Sequence, residues 1–584
     1  MKISKTFGYL FLIFLLALIL RFLAASYVDV GTDEMIYSII PLNIISAGRL
    51  GTVEQSPLYF YLADVGYTFS GGLGQITARL PSIIFGSLAV FLVYLLSLEM
   101  FANKKAAYIS SFLWALSGYA LRHNGEMDMS AFFFALLSLF LFIRALKTES
   151  PKFFYLSAIS FGLAVMIKNI VVLFVPAYLL VFWLKQRKEK ALSKSALKTM
   201  IISVVIFLAV LIPIFAYNYL TYTYTKEGIT DVYFSTMLGI GKTVHAGMES
   251  KPWEFSRVLH VTKEIFTQLF KWEIITVIGG ALGTALCLRK NNWVKYKEGF
   301  LLLWISLLSL PAYVGGSTAS STHYLWVPMV LSIFAGYGIF SVHEMILKRF
   351  SFKYSLHLIL LIAIIINVLF FSWLVQKYTS ASTVPLWEFV HENIPEDAIV
   401  VIDPRIYRGV NAWVFNDRHY LEGGHFPLLQ EAIEKSAGAK QEIPLYYLEC
   451  GKDSDYIYCG WKPEDFERIK SAGEQLSAFL VPSMQKVAEI KTSTHFVLYQ
   501  GTINAPRRVY NFIDGTHTFW FYPVGWRGGS AVDDYTARGI GVLVNLLGFL
   551  VLYLDLLLAL AAIPFVFYLT NKRGENITPQ ENKQ

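Results

Sequence analysis

The chain has 584 residues, of which 55% are apolar and only 16% charged, and its mean hydropathy is +0.49. These values exclude an ordinary soluble globular protein. The net charge of +8 does not indicate a nucleic-acid partner, because Lys and Arg cluster in short loops between apolar runs, where they orient a chain in a bilayer. The composition therefore predicts a multi-pass α-helical membrane protein.

Apolar runs of about 17 to 25 residues predict the membrane spans. In chain order these runs cover residues 7–28, 78–100, 106–121, 129–146, 153–184, 200–219, 274–288, 300–313, 324–342, 354–375 and 540–570. The run at 153–184 is too long for one straight span, and Lys168-Asn169 interrupts it. We predict two short spans with a hairpin turn at Lys168, which gives about twelve spans in all.

The basic clusters predict the orientation of these spans. They lie at residues 2–5, 104–105, 147–152, 185–198, 289–297, 348–353 and 572–573, and all fall on one side only if the hairpin at Lys168 is real. The positive-inside rule makes that side cytoplasmic. The segments 30–77, 122–128, 168–169, 221–272, 315–323 and 376–538 are then predicted to be extracytoplasmic, in a multi-pass protein of the cell membrane.

The first apolar run has two interpretations. Leu23-Ala24-Ala25 resembles a signal-peptide cleavage site, but the run is longer than a usual signal sequence and contains Arg21, which favours an uncleaved span. Arg21 is predicted to reach the interface with its charged end, and contact with an anionic ligand is the alternative.

The sequence predicts four regions. Residues 1–375 form the membrane domain, 376–538 an extracytoplasmic α/β domain, 539–571 a last span and 572–584 a cytoplasmic tail. Within the α/β domain, helices are predicted at 387–393 and 466–480, a buried strand at 398–402, and paired strands across 487–499. Cys450 and Cys459 lie in this domain and form either a disulfide or a free pair, and Cys287 lies in a span.

Acidic residues at the outer ends of spans are the strongest functional signal. Asp33-Glu34 follows the first span, and Glu126 and Asp128 lie between two later ones. Carboxylates near hydrocarbon are costly unless they are used. Two such groups on one side of the membrane predict a single outward-facing site that needs a base or a cation ligand, and hence a membrane enzyme.

Five short motifs follow one another in the first third of the chain. They are Val-Gly-Thr-Asp-Glu at 30–34, Glu-Gln-Ser-Pro-Leu-Tyr-Phe-Tyr at 54–61, Arg-Leu-Pro-Ser at 79–82, Arg-His-Asn-Gly-Glu-Met-Asp at 122–128 and Gly-Leu-Ala-Val-Met-Ile-Lys-Asn at 162–169. This ordered set resembles the GT-C glycosyltransferases that use polyprenyl-phosphate sugars, and among them the protein O-mannosyltransferases and the lipid A aminoarabinose transferases. The resemblance covers residues 7 to about 354.

The resemblance implies roles for individual residues. Asp33 corresponds to the catalytic base and Glu34 to the second acid of that motif. Asp128 corresponds to the acid of the second outer loop, which lines the site, and Lys168 to a lysine in a Thr-Lys-Gly-like turn, although Asn169 replaces the glycine. Glu54 corresponds to the glutamate before a Pro-Pro-Leu-Tyr motif.

Two departures from the family pattern concern that motif. Gln55 stands where the aminoarabinose transferases have a lysine, and Ser56 replaces the first proline. Both departures argue against the lipid A branch.

The residue types suit sugar transfer from a lipid phosphate. A carboxylate accepts the proton of the attacking hydroxyl, and the leaving phosphate needs cations, for which Lys168, Arg79, Arg122 and Lys242 are the candidates. A divalent metal held by Glu54 and His245 is an alternative. The predicted partners are a polyprenyl-phosphate-linked sugar, a protein, lipid or glycan acceptor, and the bilayer.

Simpler interpretations stay open for each residue. Asp33-Glu34 and Asp128 are also placed to cap helices, and Arg79, Arg122 and Lys168 to anchor spans at the interface. His245 is also read as an ordinary surface or structural histidine, and His323-Tyr324 as a pair in the interfacial belt.

Two other classes of protein fit the sequence less well. An oligosaccharyltransferase carries Trp-Trp-Asp-Tyr-Gly, which is absent from the sequence, and residues 413–417 are no substitute. A secondary transporter places its ionisable residues near the midplane rather than at outer span ends.

Overall fold

The computed structural model describes residues 4–28, 50, 56–70, 75–188, 194–225, 254–316, 321–378, 383–406, 414–415, 418–435, 438–451, 463–491, 495–510, 513 and 539–576. Two compact units are present, a helical membrane unit and a smaller unit that takes in Tyr27–Asn43 and Leu374–Trp520.

The membrane unit consists of helices throughout its described part, as its apolar composition predicts. They are α1 (Lys5–Tyr27), α2 (Leu58–Ser70), α3 (Gln75–Phe101), α4 (Lys104–Ala115), α5 (Gly118–Arg122), α6 (Met127–Thr148), α7 (Pro151–Ile167), α8 (Val175–Lys188), α9 (Lys194–Val210), α10 (Ile212–Thr225), α11 (Phe255–Trp272), α12 (Ile274–Cys287), α13 (Lys290–Gly316), α14 (Trp326–Phe350), α15 (Ser355–Tyr378) and, near the end of the chain, α19 (Ile540–Asn576). Short 3-10 turns at Asn169–Phe174 and Ser321–Leu325 precede α8 and α14.

Seven of the described helical segments are long and apolar enough to cross a membrane, or eight if the bent pair α11–α12 counts as one. The number of about twelve spans stays a prediction. The span predicted at 106–121 is broken in the structure, because Ser117 caps a new helix by accepting a hydrogen bond from the backbone N–H of Ala120 at 3.1 Å. Helix α19 continues to Asn576, past the predicted end of the last span at residue 571.

Burial separates central helices from peripheral ones. Helices α3, α6 and α14 are covered by protein along most of their length, whereas α1, α15 and α19 expose most of theirs. Glycines allow α12 and α14 to pack closely: a Cβ on Gly283 would lie 2.0 Å from the carbonyl oxygen of Phe334, and one on Gly338 2.2 Å from that of Gly279. Small residues at such crossings are typical of membrane helices.

The smaller unit contains a five-stranded mixed sheet in the order β2-β1-β3-β5-β4. Its elements are α16 (Thr383–Asn393), β1 (Ile399–Ile402), β2 (His419–Glu422), α17 (Phe426–Lys435), β3 (Lys440–Cys450), α18 (Pro463–Leu480), β4 (Gln485–Lys491) and β5 (His495–Pro506). Strand β1 runs parallel to β2 and β3, and β5 pairs antiparallel with β3 and β4. The predicted strand at 398–402, the two helices and the paired strands across 487–499 are confirmed.

A buried ion pair closes the carboxyl end of β1. Asp403 accepts hydrogen bonds from Nε of Arg405 at 2.9 Å and from the backbone N–H of Cys450 at 3.1 Å. Burial acts against the charge of Arg405, but its bonds to Asp403 raise the pKa of the guanidinium above its usual range. Cys450 and Cys287 are both buried. Cys459, and with it the predicted disulfide, lies outside the described residues.

Candidate active site

Three charged or polar side chains from separate parts of the chain meet at one end of α6. Asp128, in the first turn of that helix, is fully buried, and its Oδ1 lies 2.8 Å from Nδ1 of His323. Its other oxygen, Oδ2, lies 3.6 Å from Nζ of Lys168. Because a carboxylate only accepts hydrogen bonds, Nδ1 of His323 carries the proton that joins the two side chains.

Lys168 reaches this position because a helix ends there. Its backbone is extended, with φ −146° and ψ 117°, and its N–H donates to the carbonyl oxygen of Ala164 at 2.9 Å. Two aromatic pairs join the helices on either side of Lys168. The ring centre of Phe161 lies 5.0 Å from that of Tyr178, and the ring centre of Phe154 lies 6.2 Å from that of Phe182. Contacts in this antiparallel order confirm the predicted hairpin, with Lys168 at its turn.

Three buried aromatic rings lie beside this cluster. Phe132 follows Asp128 by one helical turn, and Trp326 follows His323 by three residues. The ring centre of Trp326 lies 5.5 Å from that of Phe132 and 5.1 Å from that of Phe174. A wall of this kind keeps the local dielectric low, which strengthens the attraction between Asp128 and Lys168.

The loop before α6 is fixed by residues of three predicted motifs. Nδ2 of Asn124 donates to the carbonyl oxygen of Arg21 at 2.8 Å, and Oγ of Ser82 donates to that of Glu126 at 2.8 Å. The hydroxyl of Tyr59 lies 3.1 Å from Oγ of Ser82. These bonds tie the loop at residues 122–126 to α1, α2 and α3, so Asp128 begins its helix at a defined place.

The predicted arginine ligands occupy different environments. Arg79 is buried, and its Nη1 donates to the carbonyl oxygen of Ala25 at 2.6 Å. Arg122 is half-buried, and its Nη1 donates to Oε1 of Gln268 at 3.2 Å. These contacts tie Arg79 to α1 and Arg122 to α11.

The expectation that Arg21 reaches the interface was wrong. Its side chain is fully buried, and its guanidinium lies 5.3 Å from the ring centre of Trp114. Nε and Nη2 of Arg21 have no hydrogen-bond partner in the described part of the chain. The aromatic ring and the surrounding helices hold the cation inside the protein instead.

His123, next to Arg122, does not add a positive charge to the site. Burial of its ring, and then the neighbouring Arg122, lower the pKa of His123 to about 3. The imidazole is therefore neutral at physiological pH, and it packs against Tyr119 with ring centres 4.8 Å apart.

Five predicted site residues lie outside the described residues. They are Asp33, Glu34, Glu54, Lys242 and His245. Within the described part of the chain, no group of three His, Cys, Asp or Glu side chains is arranged to hold a metal ion. The structure therefore brings together Asp128 and Lys168 of the predicted set.

His323 is the residue that the sequence interpretation missed. It was expected to be an interfacial belt residue, but it is buried against Asp128, although 195 positions separate the two in the chain. A signal was present in the sequence, because a histidine at the outer end of an apolar run carries the same cost near hydrocarbon as Asp128.

Sequence and structure comparisons agree on the class of protein. Residues 54–217 match the model of the dolichyl-phosphate-mannose-protein mannosyltransferase family. The structure of ArnT from Cupriavidus metallidurans bound to undecaprenyl phosphate matches with a TM-score of 0.58 at 14% identity, covering 84% of this chain and 98% of that one. The apo form of ArnT gives 0.54 with the same identity and coverage.

A more distant match is the oligosaccharyltransferase AglB from Archaeoglobus fulgidus. Its TM-score is 0.48, at 12% identity over 90% of this chain and 78% of that one. No curated protein sequence matches the chain. The family match and the fold shared with ArnT together support a membrane glycosyltransferase of the GT-C type.

Proposed function

We propose that this protein transfers a sugar from a polyprenyl-phosphate donor, dolichyl or undecaprenyl, to a protein, lipid or glycan acceptor on the extracytoplasmic face of the membrane. The observation that carries the proposal is the buried cluster of Asp128, Lys168 and His323. The similar fold of ArnT, whose structure contains undecaprenyl phosphate, supports a lipid phosphate as the donor's carrier.

The reaction needs one base and a stabilised leaving group. The acceptor oxygen attacks the anomeric carbon, its proton passes to Asp33, and the bond from that carbon to the phosphate oxygen breaks. The polyprenyl phosphate leaves with the electrons of that bond. Glu34 is assigned to the same outer loop as Asp33, and Asp128 is assigned to line the site and orient its neighbours.

Lys168 is assigned to the donor phosphate. It is 4% exposed, so a phosphate that reached it would form a charge-assisted hydrogen bond largely shielded from water. Asp128 holds the ammonium group in place before the donor arrives, and a preorganised cation loses little on binding. Arg79, Arg122 and Lys242 are the further cations of the proposal.

A divalent metal held by Glu54 and His245 is the alternative source of positive charge. Carboxylate and imidazole suit such an ion when the phosphate supplies the remaining ligands. Treatment with EDTA distinguishes the two versions. Loss of transfer that added Mg²⁺ or Mn²⁺ restores would support the metal, and full activity in EDTA would assign the role to the side-chain cations.

The decisive experiment is transfer by the purified protein in detergent from a defined polyprenyl-phosphate sugar. Asp33→Asn should abolish transfer while donor binding remains, because the amide keeps the shape of the side chain but accepts no proton. Asp397→Asn, at an exposed position of the smaller unit, is the matched control and should be fully active. Near-normal turnover in Asp33→Asn would reduce the acidic pair to a helix cap.

Two other outcomes would replace the proposal. Activity only with a lipid-linked oligosaccharide would indicate an oligosaccharyltransferase. Uptake of a solute by proteoliposomes, without transfer, would indicate a transporter.

A further inference from the structure

A second polar site lies at the other end of α6. A cavity of about 110 Å³ is lined there by three lysines from three helices, Lys147 of α6, Lys185 of α8 and Lys295 of α13. Among the described residues, Glu298 is the acidic member of the lining, and apolar side chains such as Leu146 form another part of the wall. Asp128 and Lys147 are separated by about 28 Å along the helix axis, so this cavity is distinct from the proposed active site.

The surroundings of the cavity also carry an excess of positive charge. Glu99 at the end of α3 is already paired with Arg573 and lies 3.3 Å from Nζ of Lys147. Arg144 lies one helical turn before Lys147, and its buried Nε and Nη1 have no hydrogen-bond partner in the part of the chain that the structure describes. Within the described part of the chain, Glu99 is thus shared between at least two cations.

We propose that this cavity binds the phosphate group of an anionic phospholipid. Lysines that converge from three helices match a phosphate, and basic pockets between membrane helices are known binding places for such head groups. The apolar part of the wall suits the adjoining acyl chains, since lysine side chains lay their methylene groups along such surfaces. Because the cavity lies where spans end, a membrane lipid reaches it without leaving the bilayer.

The bound lipid contacts four helices. The lining residues come from α3, α6, α8 and α13. Asp128 lies in the first turn of α6, and α8 is the second arm of the hairpin whose turn carries Lys168. An anionic lipid therefore couples the positions of these helices through its contacts with the cavity lining.

Native mass spectrometry tests the proposal. Phosphatidylglycerol, phosphatidylcholine or inorganic phosphate is titrated into the purified full-length protein, and the bound species are measured. We expect one phosphatidylglycerol to be retained in preference to phosphatidylcholine. Lys185→Gln with Lys295→Gln should weaken its binding roughly 25-fold, since each lysine near a membrane surface contributes about a five-fold effect. Lys152→Gln with Lys290→Gln removes two exposed lysines outside the cavity and should leave binding unchanged.

Each other result contradicts the proposal. Equal loss in the control pair would indicate non-specific attraction to the whole basic surface. Equal binding of both lipids would mean that the phosphate charge is not recognised, and displacement of the lipid by millimolar inorganic phosphate would assign the cavity to a free anion. If the double variant does not fold, Lys185→Gln alone should still weaken binding, whereas the charge-preserving Lys185→Arg should not.

Discussion

Replacing Lys168 with methionine tests the buried ion pair directly. Methionine has a similar length and no charge, so the change isolates the electrostatic contribution. Removing one partner of a buried ion pair costs about 3–5 kcal/mol, because the other charge stays buried without compensation. Here Nζ lies 3.6 Å from Asp128, beyond a good hydrogen bond, and His323 remains as a partner. We therefore expect the lower end of that range, about 3 kcal/mol.

A double-mutant cycle separates this effect from loss of packing. Asp128→Asn alone should also destabilise the protein, because it leaves the ammonium group of Lys168 buried without its counter-charge. The double variant removes both charges, so it should be more stable than the sum of the two single effects by at least about 1 kcal/mol. The free energy of unfolding is measured in mixed detergent micelles by tryptophan fluorescence. Additive effects, within about 0.5 kcal/mol, would refute the interaction.

The same variants separate stability from catalysis. A charge-assisted bond from Lys168 to the donor phosphate contributes about 1.5–3 kcal/mol, so Lys168→Met should slow turnover roughly 10- to 150-fold. Lys168→Arg should retain part of the activity, because it keeps the charge. The double variant with Asp128→Asn should recover stability but not turnover. Unchanged kinetics in Lys168→Met would move the phosphate contact to Arg79, Arg122 or Lys242.

Three further predictions concern orientation, helix packing and the smaller unit. A cysteine at exposed Lys491, with the native cysteines replaced, should react with a membrane-impermeant maleimide in intact cells; labelling only after permeabilisation would reverse the predicted orientation. Gly283→Ala should destabilise the protein by at least about 2 kcal/mol, because its Cβ would overlap a backbone carbonyl. The control Gly8→Ala places its Cβ in open space and should be neutral. Equal melting temperatures of the two variants would contradict this packing. Asp403→Ala leaves Arg405 buried without its main partner and should lower the melting temperature of the smaller unit, while loss of exposed Glu431 should have no effect.

The sequence predicted the features that depend on local patterns. The hairpin at Lys168 was predictable because a polar pair interrupts an apolar run of about twice the length of a short span. Strand β1 was predictable because four consecutive β-branched residues precede Asp403. Asp128 and Lys168 were singled out because charged residues beside hydrocarbon are costly and need a purpose.

The tertiary structure alone decided which distant residues meet. No local pattern connects His323 with Asp128, because the contact depends on how the 3-10 turn Ser321–Leu325 packs against α6 rather than on the sequence near either residue. Arg21 was wrongly assigned to the interface because its contact, too, is with a residue distant in the sequence. The periodicity of α1 does not reveal that Trp114 of another helix covers its guanidinium.

The physical reason is the range of the forces involved. Hydropathy and backbone propensity act over one or two turns, so they determine where spans, strands and costly charges lie along the chain. Pairing of buried charges depends on a three-dimensional arrangement of helices, which close packing and the cost of unsatisfied charge select together. The sequence by itself therefore determined the membrane class and two members of the candidate site, and the packing of the helices added His323 and placed Lys168 beside Asp128.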